Sequence, residues 1–193
     1  MASAQLRAGV KLGVDVGTVR VGLAAADRDG ILAVPVRTLN RDAKKNSDIR
    51  IVVREAAERG AVGIYVGLPR TLKGTETASA AMAREYAALL VAALGDAGLD
   101  VRVWLVDERL SSVSAHAALR SAGMSGREQR KVVDQAAAAG ILQHALDMEK
   151  SLSQPAGPHV PPVTDSAGGR VGQPTLAKDR DISSESNPRG SAL

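Results

Sequence analysis

Three carboxylate positions, far apart along the chain, are the residues best able to do chemistry. Asp15 stands in Lys11-Leu12-Gly13-Val14-Asp15-Val16-Gly17-Thr18, an apolar run broken at a glycine beside a hydroxyl. Moving a carboxylate out of water into such surroundings costs several kcal/mol unless a cation or hydrogen bonds compensate it. Asp107-Glu108 follows a second apolar run, and because neighbouring residues on a strand point to opposite faces, one of the two looks inward. Asp134 lies three or four residues before Ala137 and Ala138, in line with the apolar stripe that continues through Ile141, Ala145 and Met148. Taken singly, each acid has a simpler reading: Asp15 as a turn cap, Asp107-Glu108 as a solvated loop with Glu108 paired to Arg109, and Asp134 as a partner of the helix dipole. Taken together, three inward-facing acids repel one another unless a cation lies among them. An all-oxygen donor set suits magnesium or manganese, and two such ions about 3.5–4 Å apart clamp the attacking and leaving oxygens of phosphodiester hydrolysis.

Other chemistries fit less well. The chain has no cysteine, which excludes a thiol nucleophile and a thiolate zinc site and fits a reducing cytoplasm. His116, His144 and His159 lack zinc-site spacing, and no Gly-x-x-x-x-Gly-Lys-Ser/Thr phosphate loop occurs. Tyr65, Tyr86 and Trp104 are the only aromatic residues. Base stacking is therefore a poor basis for binding, whereas phosphate contacts and shape suit a formal net charge of +4. Neither a leader nor a membrane span is expected, so the protein reads as cytoplasmic.

The elements that must position the acids follow from the pattern of apolar residues. Runs at 10–16, 21–26 and 31–36 form an antiparallel meander, with Asp27-Arg28-Asp29-Gly30 as a turn and Pro35 near a strand end or sheet edge. After a polar stretch at 40–47, a helix capped by Ser47 or Asp48 buries Ile49, Val52, Val53, Ala56 and Ala57 and stops at Gly60. Apolar strands at 61–66 and 101–106 flank an Ala-rich helix at about 77–94. A short helix at about 113–121 and a last one at about 127–150 follow. The order β-β-β-α-β-α-β-α-α predicts an α/β fold, a five-stranded mixed sheet in which three antiparallel strands precede β-α units, with helices on both faces. Residues 1–9 form a flexible N-terminus and 10–150 one domain. Six of the eight prolines fall in 151–193, which is expected to be a disordered Pro/Gly/Ser-rich tail.

Residues 11–27, Gly67-Leu68-Pro69 with Gly74, Asp107-Glu108-Arg109-Leu110-Ser111-Ser112, and Asp134-Gln135-Ala136-Ala137 with Ile141-Leu142 resemble the YqgF/RuvX family over about residues 10–148. Its members are described as Holliday junction resolvases and as nucleases for the 5′ end of pre-16S ribosomal RNA. Ser111-Ser112 depart from the family's usual Thr but keep the hydroxyls. The resemblance implies an RNase H-like fold and a catalytic, metal-binding set of Asp15, Glu108 and Asp134. In that set Asp15 bridges two Mg2+ or Mn2+ ions, and Glu108 and Asp134 each complete one coordination sphere. Thr18, Arg20, Arg70, Lys73 and Arg109 are candidates for phosphate contact, and Arg127, Arg130 and Lys131 form either a basic flank for a duplex or a solvated face. The implied activity is metal-dependent nucleolysis, in rRNA maturation first and at DNA junctions second. The partner is nucleic acid, the membrane is excluded as a site, and the state is monomer or homodimer. Two further readings compete. Asp15-Val16-Gly17-Thr18 before a hairpin also resembles the phosphate-holding strand of actin-like kinases and chaperones, which need a second domain and a second phosphate motif not seen here. The other is a non-catalytic nucleic-acid or ribosome-associated binding protein.

Overall fold

A hairpin starts the sheet, because Gly17 N–H closes a tight turn on Arg20 C=O at 2.8 Å and pairs β1 (Lys11–Val16) with β2 (Arg20–Ala26). The computed structural model describes residues 7–69, 77–107 and 126–162, all within one compact unit, Met1–Val163. After β2 come β3 (Ala33–Asn40), α1 (Ser47–Glu58), β4 (Gly63–Leu68), α2 (Ala78–Asp96), β5 (Arg102–Asp107) and α3 (Gly126–Leu152). The strand order is β3-β2-β1-β4-β5, with antiparallel pairing on the hairpin side and parallel pairing of β1 with β4 and of β4 with β5. This is the mixed five-stranded sheet expected of an RNase H-like domain. The expected helix at 113–121 lies outside the described residues.

Strand alternation divides the interior into two layers. Leu12, Val14, Val16, Leu23, Ile64, Val66, Val103 and Leu105 face α1 and α2, whose buried stripes are Ile49, Val52 and Ala56, and Ala83, Tyr86, Leu90 and Leu94. On the other face, Ala24, Ala26, Tyr65, Trp104 and Val106 meet Ala138, Ile141, Leu142, Ala145 and Leu146 of α3. Small residues at the sheet centre bring α3 unusually near: a Cβ on Gly13 would lie 2.6 Å from the Ala138 carbonyl oxygen, and one on Gly22 would lie 2.1 Å from that of Asp134.

Three expectations about the elements change. β3 begins at Ala33, leaving Ile31 and Leu32 exposed, because Gly30 takes a left-handed φ of 63° and Asp27 holds the turn through both Gly30 N–H and Ile31 N–H. Pro35 lies on this edge strand at a register shift, where its missing N–H does little harm. Neither Ser47 nor Asp48 caps α1. Asn46 precedes the helix in a left-handed conformation, and Asp48 turns back to Arg41, 3.1 Å away. The tail expected from Ser151 does not start there either. Helix α3 continues to Leu152, and the chain then runs along β5, with Leu105 N–H bonding Pro158 C=O at 3.0 Å and Val160 N–H bonding Val103 C=O at 2.9 Å. Prolines suit this attachment because Pro158 contributes only a carbonyl, and Ala156 is buried beneath the segment. The remainder of the expected tail, from 163 onward, lies outside the described residues.

Candidate active site

Asp15 is the last residue of β1 on the α3 face, sharing it with Lys11 and Gly13. Its register partner across the hairpin is Gly22, the residue on which the Asp134 backbone rests. That pairing sets the geometry of the site. Because position 22 has no side chain, α3 descends onto the hairpin at Asp134, and the Asp134 carboxylate comes beside that of Asp15.

The electrostatics follow from this approach. The Asp15 carboxyl is pushed up from its ordinary 3.8 to about 6, chiefly by burial and next by the negative charge of Asp134. Arg20, at the start of β2, donates through Nε to Asp134 Oδ2 in a part-buried ion pair. Arg20 answers Asp134, and Asp15 has no ion pair among the described residues, a deficit of positive charge that a divalent cation with oxygen ligands would fill.

Of the expected site residues, the structure joins Asp15, Asp134 and Arg20. The guanidinium of Arg20, read from sequence as a phosphate contact, is engaged by Asp134. Thr18 is exposed in the hairpin turn. Asp107 ends β5 in alternation with Val103 and Leu105, on the face opposite Asp15. Glu108, Arg70, Lys73 and Arg109 lie outside the described residues, as do the side chains of Arg127, Arg130 and Lys131. Among the described residues no group of three His, Cys, Asp or Glu side chains assembles as a metal site. His159 instead packs edge-on against Trp104, with ring centroids 5.9 Å apart.

The sequence reading missed Gly13 and Gly22, the residues that let Asp134 reach the sheet. Counting hairpin register outward from Gly17 would have placed Gly22 opposite Asp15. It also missed a buried cluster at the far end of the same helix, where Glu149 meets Lys11 Nζ and Tyr65 OH.

Residues 9–148 match the family described as RuvX: Holliday junction resolvase. A protein of Leifsonia xyli subsp. xyli, whose name gives it provisionally as a pre-16S rRNA nuclease, is 49% identical over 157 residues, covering 81% of this chain and 97% of the relative. A similarly named protein of Kineococcus radiotolerans is 49% identical over 150 residues, 78% of each chain. Among solved structures, RuvC of T. thermophilus in complex with a Holliday junction substrate is similar with a TM-score of 0.47 and 16% identity, over 76% of this chain and 99% of that one.

Proposed function

The chain belongs to the family described as RuvX, Holliday junction resolvase, and from that membership we propose that it is a metal-dependent nuclease acting on structured nucleic acid, with the 5′ end of pre-16S rRNA as its substrate. The observation that carries the proposal is the meeting of Asp15 and Asp134 over Gly22, with the Asp15 carboxyl raised to about 6. Asp15 and Asp134 would hold Mg2+ or Mn2+, and Glu108 is assigned as the third ligand from the family resemblance. Bound divalent ions supply an activated water and offset the charge that builds on the phosphodiester.

The chain's own residues do the rest. Asp15 holds its carboxylate at a fixed strand position, so no rearrangement is needed when a cation arrives. Arg20 keeps the Asp134 carboxylate turned toward the same spot. Thr18 sits exposed at the rim, where its hydroxyl donates to a phosphate oxygen, and Arg70, Lys73 and Arg109 are assigned to flanking phosphates. The relatives named for pre-16S rRNA favour RNA in the cytoplasm, whereas the family description favours a DNA four-way junction, which in a symmetric cut would require two copies of the chain.

The test is a side-by-side Mg2+-dependent cleavage assay on a pre-16S rRNA 5′ fragment and a DNA four-way junction. Wild type should cut the RNA, and Asp15→Asn should cut neither. Cutting of the junction alone would transfer the activity to DNA. Undiminished cutting by Asp15→Asn would remove Asp15 from the centre.

A further inference from the structure

Beyond the metal-binding acids, the end of the sheet that carries Asp15 has a second charged feature. Arg20 pairs with Asn40 at the last rung of β2 and β3, so the β3–α1 loop, residues 41–46, leaves the sheet at the same end as the hairpin turn. Arg41 N–H bonds Val19 C=O at 2.9 Å and ties the loop to that turn.

The loop is held from beneath. Arg41 and Asp48 form an ion pair at 3.1 Å with both side chains buried, and the Arg41 guanidinium lies over the Tyr86 ring, 5.0 Å from its centroid. Asp42 accepts from Lys45 N–H at 3.0 Å and from Ser47 Oγ at 2.6 Å, while its carbonyl accepts from Asn46 N–H at 2.8 Å. Those bonds turn the Asp42 oxygens toward the loop's own donors, and the Ser47 hydroxyl first, then the Lys45 N–H, hold its carboxyl below the usual range.

Lys44, Lys45 and Arg50 are what this framework leaves exposed. The other arginines of this side each have an acidic partner: Arg37 and Arg59 pair with Glu55 at 3.3 and 3.0 Å, and Arg54 pairs with Glu58 at 3.6 Å. Among the described residues, Lys44, Lys45 and Arg50 have no carboxylate in ion-pair range, and Arg50 Nη1 instead donates to Lys45 C=O at 3.0 Å, which holds the Arg50 guanidinium against the loop that carries Lys44 and Lys45. Concentrated positive charge on an already ordered loop binds a polyanion without the cost of ordering the backbone.

We propose that Lys44, Lys45 and Arg50 form a preformed ledge for the phosphate backbone flanking the bond to be cut, an inference that rests on the nuclease reading above. The ledge contacts phosphates, not bases, and so adds affinity and register without sequence preference.

The test compares the full-length wild type with the Lys44→Ala/Lys45→Ala/Arg50→Ala triple variant, using fluorescence anisotropy on a labelled RNA duplex with a single-stranded 5′ extension and on a DNA four-way junction, each across a salt series. At about 0.7–0.9 per neutralised phosphate, the slope of log K against log salt should fall by about 2–3 in the triple variant. Arg28→Ala, an exposed charge in the β2–β3 turn at the other end of the sheet, should leave the slope unchanged. Melting temperature and Mg2+ binding heat should match wild type in both variants. An unchanged slope in the triple variant, with wild type binding normally, overturns the ledge and leaves the nuclease reading standing. Failure of wild type to bind either probe overturns both. A loss of slope in Arg28→Ala equal per charge removed, about a third of the triple variant's, overturns the ledge in favour of a diffuse effect of net charge.

Discussion

Helix α3 carries a carboxylate near each end of its sheet-facing stripe, and the two ends are treated in opposite ways. Glu149 is buried and fully answered within the chain, with Lys11 Nζ on one oxygen and Tyr65 OH on the other. Fifteen residues earlier on the stripe, about 22 Å along the helix axis, Asp134 faces another acid and is itself paired with Arg20. Lys11 and Asp15 stand on the same face of β1, so the same strand offers a cation to one end of the helix and an anion to the other. The difference separates two uses of buried charge. The far end fixes how α3 lies on the sheet, and the near end brings together the two acids proposed to hold a divalent cation.

Breaking the answered end should have the largest effect on stability. Glu149→Ala leaves the Lys11 ammonium buried without its partner, at a cost of about 3–5 kcal/mol, measurable by urea unfolding. The double variant Lys11→Met/Glu149→Leu removes both charges and should recover most of that loss; a double variant as unstable as the single would show that packing, and not the charge pair, is at stake.

A change at the seam between the two ends comes next. Gly22→Ala places a methyl 2.1 Å from a backbone oxygen of α3, which cannot rotate away. Overpacking of this kind costs about 1–3 kcal/mol and should lift Asp134 from Asp15. The same variant should therefore bring the Asp15 pKa, followed by carboxyl NMR, back toward 3.8. An unaltered Asp15 titration in Gly22→Ala would contradict the pairing described here.

The smallest effect concerns pH. A carboxyl with a higher pKa in the folded than in the unfolded state holds an extra proton when folded, between those two values. Stability therefore falls as pH rises from about 4 to about 6, and stays lower above that. Asp15→Asn removes this dependence, so the metal-free variant should be about 1–3 kcal/mol more stable than wild type at pH 7 and should match it near pH 4.

Much of this was legible in the sequence, for identifiable reasons. Continuous apolar runs at 61–66 and 101–106 read as buried parallel strands, and the stripe of α3 led back to Asp134. The stripe itself sits slightly differently from the sequence reading. Ala138, Ile141, Leu142, Ala145, Leu146 and Glu149 are buried, while Ala137 and Met148 are only partly so. Glu149 escaped notice because an acid beside Lys150 reads as helix surface, and its partners, Lys11 and Tyr65, are more than eighty residues away. Residues 152–162 differ from the expected tail because their attachment to β5 runs through backbone groups of Pro158 and Val160, which composition does not reveal. The lysines at 44 and 45 were visible as a polar stretch, but only the buried Arg41–Asp48 anchor distinguishes an ordered ledge from a solvated loop.

Thermal unfolding of the full chain at neutral pH, with and without Mg2+, for wild type and Asp15→Asn, tests the central claim most directly. A ligand that binds only the folded state raises stability with its concentration, so wild type should gain melting temperature as Mg2+ is added, while Asp15→Asn, starting higher, should gain none. Equal Mg2+ shifts in both proteins, or none in either, would contradict a cation site built from Asp15 and Asp134.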